Sequence, residues 1–266
     1  MLPSLLQHTK RDLFPGVRCA TLVSLVCALV PSVTGWAQSD VYRRCDSLFN
    51  DIYFLRLDRK AAVRAFTKIL PDLRTRTAKD IPRPAPRDSW VFPVKGYAAS
   101  AIGGRGDEGY RGAAAYDFFA GNAHGGHPAF DIFIRDRNRD CIDDKTQQPV
   151  PVISISSGVV VCVNPTWAPD SMDAVRGQVI RGGLYVWVYD PASDGLFYYA
   201  HLRNVSCLVG QIVKPGDTLG EVGRTGKNAF PPRSPTHLHF MCLSLANGLP
   251  RPVNVYDDLL RASRKK

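Results

Sequence analysis

The chain has no apolar run of the roughly 20 residues needed to span a bilayer, no Cys-x-x-Cys pair, and no glycine-rich loop passing from a strand into a helix with a lysine behind it. These absences argue against a membrane-spanning helix, redox or zinc chemistry of the paired-cysteine kind, and a phosphate-binding loop. The longest apolar stretch, Cys19 to Val30, covers 12 residues and stops at Pro31. Lys10, Arg11 and Arg18 precede it, and Gly35-Trp36-Ala37 supplies small residues where a signal peptidase cuts. Residues 1–37 therefore read as a secretory signal. Cys19 follows Arg18 and Cys27 follows Val26, so neither has the small preceding residue that lipid attachment requires. The expectation is export to the periplasm or the extracellular space, with no stable membrane anchor after cleavage.

Loss of residues 1–37 leaves 31 basic against 23 acidic residues, a formal charge of +8. Such a charge favours adsorption on polyanions, and an exported protein meets anionic wall polymers or lipid headgroups rather than nucleic acid. Five cysteines remain (Cys45, Cys141, Cys162, Cys207 and Cys242), an odd number whose connectivity the spacing does not decide. Oligomeric state is likewise not readable. With 45% hydrophobic and 22% charged residues, the 266-residue chain has material for one catalytic-sized domain and an appendage.

From Asp40 to Leu73, apolar residues such as Val41, Cys45, Leu48, Ile52, Phe66 and Ile69 recur three, four or seven apart. This is the period of an amphipathic helix or helical hairpin. Three prolines in Asp80–Arg87 then favour an extended spacer. Beyond Trp90 the apolar segments become short and β-branched: Val150 to Ile155, Gly158 to Val163, Leu184 to Tyr189 and Leu196 to Leu202, the last two joined as a hairpin by Asp190–Gly195. The expected organisation is a signal (1–37), an N-terminal helical segment (38–79), a proline-rich linker (80–91), a mainly β, antiparallel domain (92–256) and a basic tail (257–266). The acidic stretch Arg135 to Gln148 has oxygen ligands at alternate positions (Asp136, Asn138, Asp140), but Cys141 stands where a calcium loop has glycine, so it reads as a solvated loop.

Three histidine-bearing segments stand out. His127-Pro-Ala-Phe-Asp131 offers an imidazole and a carboxylate, both good zinc ligands, although such a pair alone is commonplace. In Thr236-His-Leu-His-Phe240, the alternation of a strand would project His237 and His239 to one face, about 7 Å apart. Two histidines on one face beside Leu238 and Phe240 are costly to bury without partners. His201 ends the aromatic strand Tyr198-Tyr-Ala-His201 and alone would pass for a satisfied core residue. His124 reads as a surface loop residue.

Taken together the segments resemble the lysostaphin or LytM-type zinc metalloendopeptidases. The resemblance runs through Gly126–Phe133, Pro149-Val150, Gly158–Val160, Tyr199–Leu202, Gly210–Asp217, Gly220–Gly226 and His237–Phe240. It implies a compact antiparallel β scaffold of the duplicated-hybrid-motif kind and one Zn²⁺ per chain held by His127, Asp131 and His239. His201 and His237 would flank the open coordination position as catalytic residues, and peptidoglycan peptides would be the substrate. The acidic loop and Phe230–Pro235 depart from the family pattern and put the cleft rim in doubt. Two other functions compete: a non-catalytic wall-binding or hydrolase-activating module of the same fold, and a structural zinc protein with four ligands. The helical segment is open to reading as an occluding element or as a packing or dimerisation element.

Overall fold

The computed structural model describes residues 40–169 and 180–265; the signal read into residues 1–37 lies outside them. Helix α1 (Asp40–Tyr53) and helix α2 (Arg59–Asp80) form the hairpin that the period suggested. They run antiparallel, since Tyr42 at the start of α1 donates to Asp80 at the end of α2 (2.7 Å) and Arg44 donates to Asp72 (3.1 Å). The Asp58 carboxylate accepts from the Ala61 N–H at 2.9 Å and caps α2.

The strands are β1 (Phe130–Phe133), β2 (Pro151–Ile153), β3 (Gly158–Asn164), β4 (Leu184–Asp190), β5 (Gly195–Val205), β6 (Ile212–Val213), β7 (Thr218–Val222), β8 (His237–Ser244) and β9 (Arg251–Pro252). All pair antiparallel in one sheet of order β1-β8-β5-β4-β3-β6, with β7 joining β2 to β5 and β9 edging β8. Every residue of β4 is buried, as a strand covered on both faces requires. On one face Trp187, Tyr198, Met241 and Leu243 pack against Phe49, Ile52, Phe66 and Leu70 of the hairpin. On the other, Val186, Phe197, Tyr199 and Phe240 pack against Trp90, Phe92 and Leu259.

The last residues are not a free tail. Helix α3 (Tyr256–Ser263) buries Leu259 and Ala262, and its Asp258 is paired with Arg87 and Arg261. The acidic stretch is a largely exposed loop, as expected, pinned by two buried carboxylates. Asp136 accepts from the Cys141 N–H (2.8 Å) and the Thr236 hydroxyl (2.6 Å), and Asp143, 1% exposed, accepts from Tyr97, Arg135 and two backbone N–H groups. Buried carboxylates need such partners, and having them turns an acidic stretch into a folded one. All five described cysteines are free thiols. Burial pushes those of Cys45, Cys207 and Cys242 up to about 12, which leaves them unreactive at neutral pH. Among the described residues no helix is long and apolar enough to cross a membrane.

Candidate metal centre

Strand β8 lies between β1 and β5, and its period of two sends His237, His239 and Met241 to the face that carries the helical hairpin. Asp131 of β1 sits directly opposite His239 in the ladder, and Phe133 opposite His237. Cross-strand neighbours of this kind meet without any loop having to be ordered. The Asp131 Oδ1 lies 3.0 Å from the His239 Nδ1, 3.3 Å from the His127 Nε2 and 3.7 Å from the His237 Nε2.

His127 enters from the loop before β1. It is fixed by paired backbone bonds with Arg111 (2.9 and 2.8 Å), and its Nδ1–H donates to the Gly109 carbonyl at 2.9 Å, which leaves the Nε2 for the centre. That approach needs a glycine at 126: its φ is +72°, and a Cβ there would fall 2.1 Å from the Gly112 carbonyl oxygen.

His201 reaches the centre through a bulge. Tyr185 pairs with Ala200 and Leu184 with Leu202, so His201 is the extra residue in β5, at φ +64°. Strict alternation after Tyr198 and Ala200 would send it to the opposite face; the bulge turns it back. Its Nδ1–H donates to the Thr225 carbonyl (2.8 Å), and its ring lies 4.9 Å from that of His237 and 5.5 Å from that of His239. His237 in turn donates from Nδ1 to the Pro235 carbonyl at 2.7 Å. The Phe230–Pro235 rim is held by Arg224, whose guanidinium donates to the carbonyls of Phe230, Pro231 and Ser234.

The three expected ligands thus come together: one ligand atom each from His127, Asp131 and His239, all within 4.8 Å of one another. Bonds of about 2.0–2.2 Å to zinc would set the ligand atoms of a tetrahedron about 3.3–3.6 Å apart, close to the 3.0 and 3.3 Å at which the His239 and His127 nitrogens stand from the Asp131 Oδ1, so this donor set suits the ion. Burial drives the His201 imidazole well below its ordinary pKa, and the neighbouring His237 and His239 act in the same direction. Burial also lowers His239, against the pull of Asp131. At Asp131 burial acts upward, but its contacts with His127 and His239 outweigh it and hold the carboxyl well below the usual range. At His127 burial acts downward and the Asp131 contact prevails, so that its pKa is raised.

His124 departs from the surface role expected of it. It is half-buried, its ring lies 4.7 Å from that of Tyr116, and it lines a cavity shared with His127, His201 and His239; burial lowers it to about 4. Arg181 and Thr225 are further residues at the site that sequence reasoning did not single out. Thr225 lies inside Gly220–Gly226, a stretch that entered only as part of the resemblance, and no local pattern marks Arg181.

A carboxylate and two imidazoles with further imidazoles beside them form the donor class of zinc hydrolases. Residues 137–250 match the model for Peptidase family M23. The matched segment contains His201, His237 and His239 and begins beyond His127 and Asp131. Solved structures similar to it include the antimicrobial peptidase lysostaphin from Staphylococcus simulans, at 25% identity over 53% of this chain and 46% of that one, with a TM-score of 0.35. Another is a putative glycyl-glycine endopeptidase LytM from Ruminococcus gnavus (24% identity, 75% and 72% covered, TM-score 0.42). A zinc-containing peptidase from Vibrio cholerae is also similar (20% identity, 65% and 40% covered, TM-score 0.37). The chain thus spans less than half the length of lysostaphin. No curated protein matches significantly.

Proposed function

We propose that the protein is an exported zinc endopeptidase that hydrolyses amide bonds in the peptide cross-links or stem peptides of bacterial peptidoglycan. The observation that carries this reading is the convergence of His127, Asp131 and His239 beside two further imidazoles. Zinc held by the three ligands supplies Lewis acidity toward a water and the scissile carbonyl. The chain's own residues do the rest. Gly109 fixes the His127 ring so that Nε2 faces the carboxylate, and Thr225 and Pro235 do the same for His201 and His237. The last two divide the proton handling: one accepts the proton of the attacking water, and the other, once protonated, stabilises the developing oxyanion or the leaving amine.

The test is digestion of purified peptidoglycan by the zinc-loaded protein, with mass spectrometry of the fragments and metal analysis of the protein. The expected result is one zinc per chain and new amine and carboxylate ends that disappear with phenanthroline and return with added zinc. Wall binding with no new ends would instead identify a non-catalytic module, and tight, inert zinc without hydrolysis a structural site.

A further inference from the structure

Along β8, His237 and His239 are followed on the same side by Met241 and Leu243, which lie under the helical hairpin. Where the hairpin stops, Phe49 and Ile52 of α1 join Trp187, Tyr198 and Met241 as the walls of a cavity of ≈ 60 Å³ that His127, His201 and His239 also line. About 10–15 Å³ holds one water, so the space takes a small substrate group and no large one. Among the described residues no carboxylate side chain lines it; Arg181 does. Its Nη1 donates to the carbonyls of His124 (2.9 Å) and Asn122 (3.2 Å), and its backbone N–H donates to the Asn122 Oδ1 (2.8 Å), so the residue is held in place. None of the ion pairs among the described residues includes it. A fixed, half-buried guanidinium in an aromatic wall is a site for an anion, since a desolvated cation gains most from a planar, two-oxygen partner.

We propose that this cavity receives a carboxylate on the substrate residue beside the scissile bond, with Arg181 as its partner and specificity determinant. This rests on the peptidase reading above. The carboxylate has two chemical sources: the α-carboxylate of a chain end, or a free carboxylate on a branched residue within the chain.

The experiment uses the zinc-loaded full chain and two pairs of synthetic peptides. In one pair the residue beside the scissile bond ends in a free α-carboxylate or its carboxamide; in the other an internal residue bears a free side carboxylate or its amide. Conversion to the amide is expected to lower kcat/KM by about 10- to 100-fold in one pair, and that pair identifies the source. Arg181→Gln is expected to abolish the distinction between acid and amide. Because the acid–amide comparison is made on the unaltered protein, it decides the matter even if the variant misfolds. Hydrolysis of acid and amide at equal rates in both pairs overturns the carboxylate assignment and leaves the peptidase reading standing. No hydrolysis of any peptide or of peptidoglycan overturns both.

Discussion

His201 stands at φ +64°, a conformation that costs a non-glycine residue free energy unless its surroundings enforce it. Here the enforcement is visible: its N–H donates to the Gly182 carbonyl (2.9 Å) and its ring to that of Thr225. The cost is offset by an imidazole turned onto the face of the centre. Removing it therefore tests chemistry apart from metal binding. His201→Ala or His237→Ala is expected to retain about one zinc per chain while kcat falls by about 10²- to 10⁴-fold, whereas His127→Ala or His239→Ala loses both zinc and activity; metal analysis beside a turnover assay separates the two classes. Gly126→Ala makes a different prediction, because its Cβ would press within 2.1 Å of the Gly112 carbonyl oxygen and the strand-like pairing just before His127 would have to open. Expected is a loss of about 1–3 kcal/mol of stability together with weaker zinc binding, measured by thermal melting and by competition with a chelator.

At the scale of elements, how far the site could be read depended on whether its order was local. His237 and His239 were legible because a period of two is a property of any strand, and the α1–α2 hairpin because apolar residues three and four apart mark a helical face. The facing of His201 was not legible from the period, since a bulge is one residue out of step and its position is fixed by what β4 pairs with. His124 was misread for a related reason. Its flanking glycines suggest an exposed loop, yet Tyr116 and the cavity wall come from residues brought near by the fold. The acidic loop is largely exposed, as expected, but its two buried carboxylates were not legible, because the partners of Asp136 and Asp143 include Thr236 and Tyr97, far away in sequence. That loop gives a pH prediction. Burial would raise the Asp143 carboxyl, but hydrogen bonds from Tyr97, the Thr146 N–H, Arg135 and the Lys145 N–H hold it well below the usual range. A folded pKa below the unfolded value, about 3.9, contributes stability that is fully present above that value and is lost as pH falls toward the folded one. Asp143→Asn lacks this contribution at every pH. Its deficit in melting temperature relative to the unaltered protein is therefore expected to be constant from pH 6 to 8 and to shrink below about pH 4; a deficit that does not change with pH would assign the role of Asp143 to packing alone.

At the scale of the whole molecule, the question is whether the helical hairpin is a removable cover or part of the core. A cover released by cutting should present a polar or sparsely packed underside. Instead Cys45, Phe49, Ile52, Phe66, Leu70 and Leu73 are 0–3% exposed and face Trp187, Tyr198, Met241 and Leu243 of the sheet, with Phe49 edge-on to both Phe118 and Trp187. Polar ties reinforce this contact: the Tyr185 hydroxyl donates to Asn50 (2.6 Å), the Gly182 N–H to the Tyr53 hydroxyl (2.8 Å), and Arg74 to Asp194 and the Leu245 carbonyl. Stripping the hairpin away would expose a contiguous aromatic face to water, at about 1.5–3 kcal/mol for each large side chain uncovered. Phe49→Ala, a cavity-forming change at this interface, is accordingly expected to cost about 3–5 kcal/mol of global stability, read from denaturant unfolding. A chain cleaved within residues 80–91 should keep the hairpin bound through gel filtration and keep its hydrolytic rate, because no residue of the metal centre lies on the excised side. A cut that instead freed the hairpin and raised the rate would show that these helices restrain the enzyme rather than complete it.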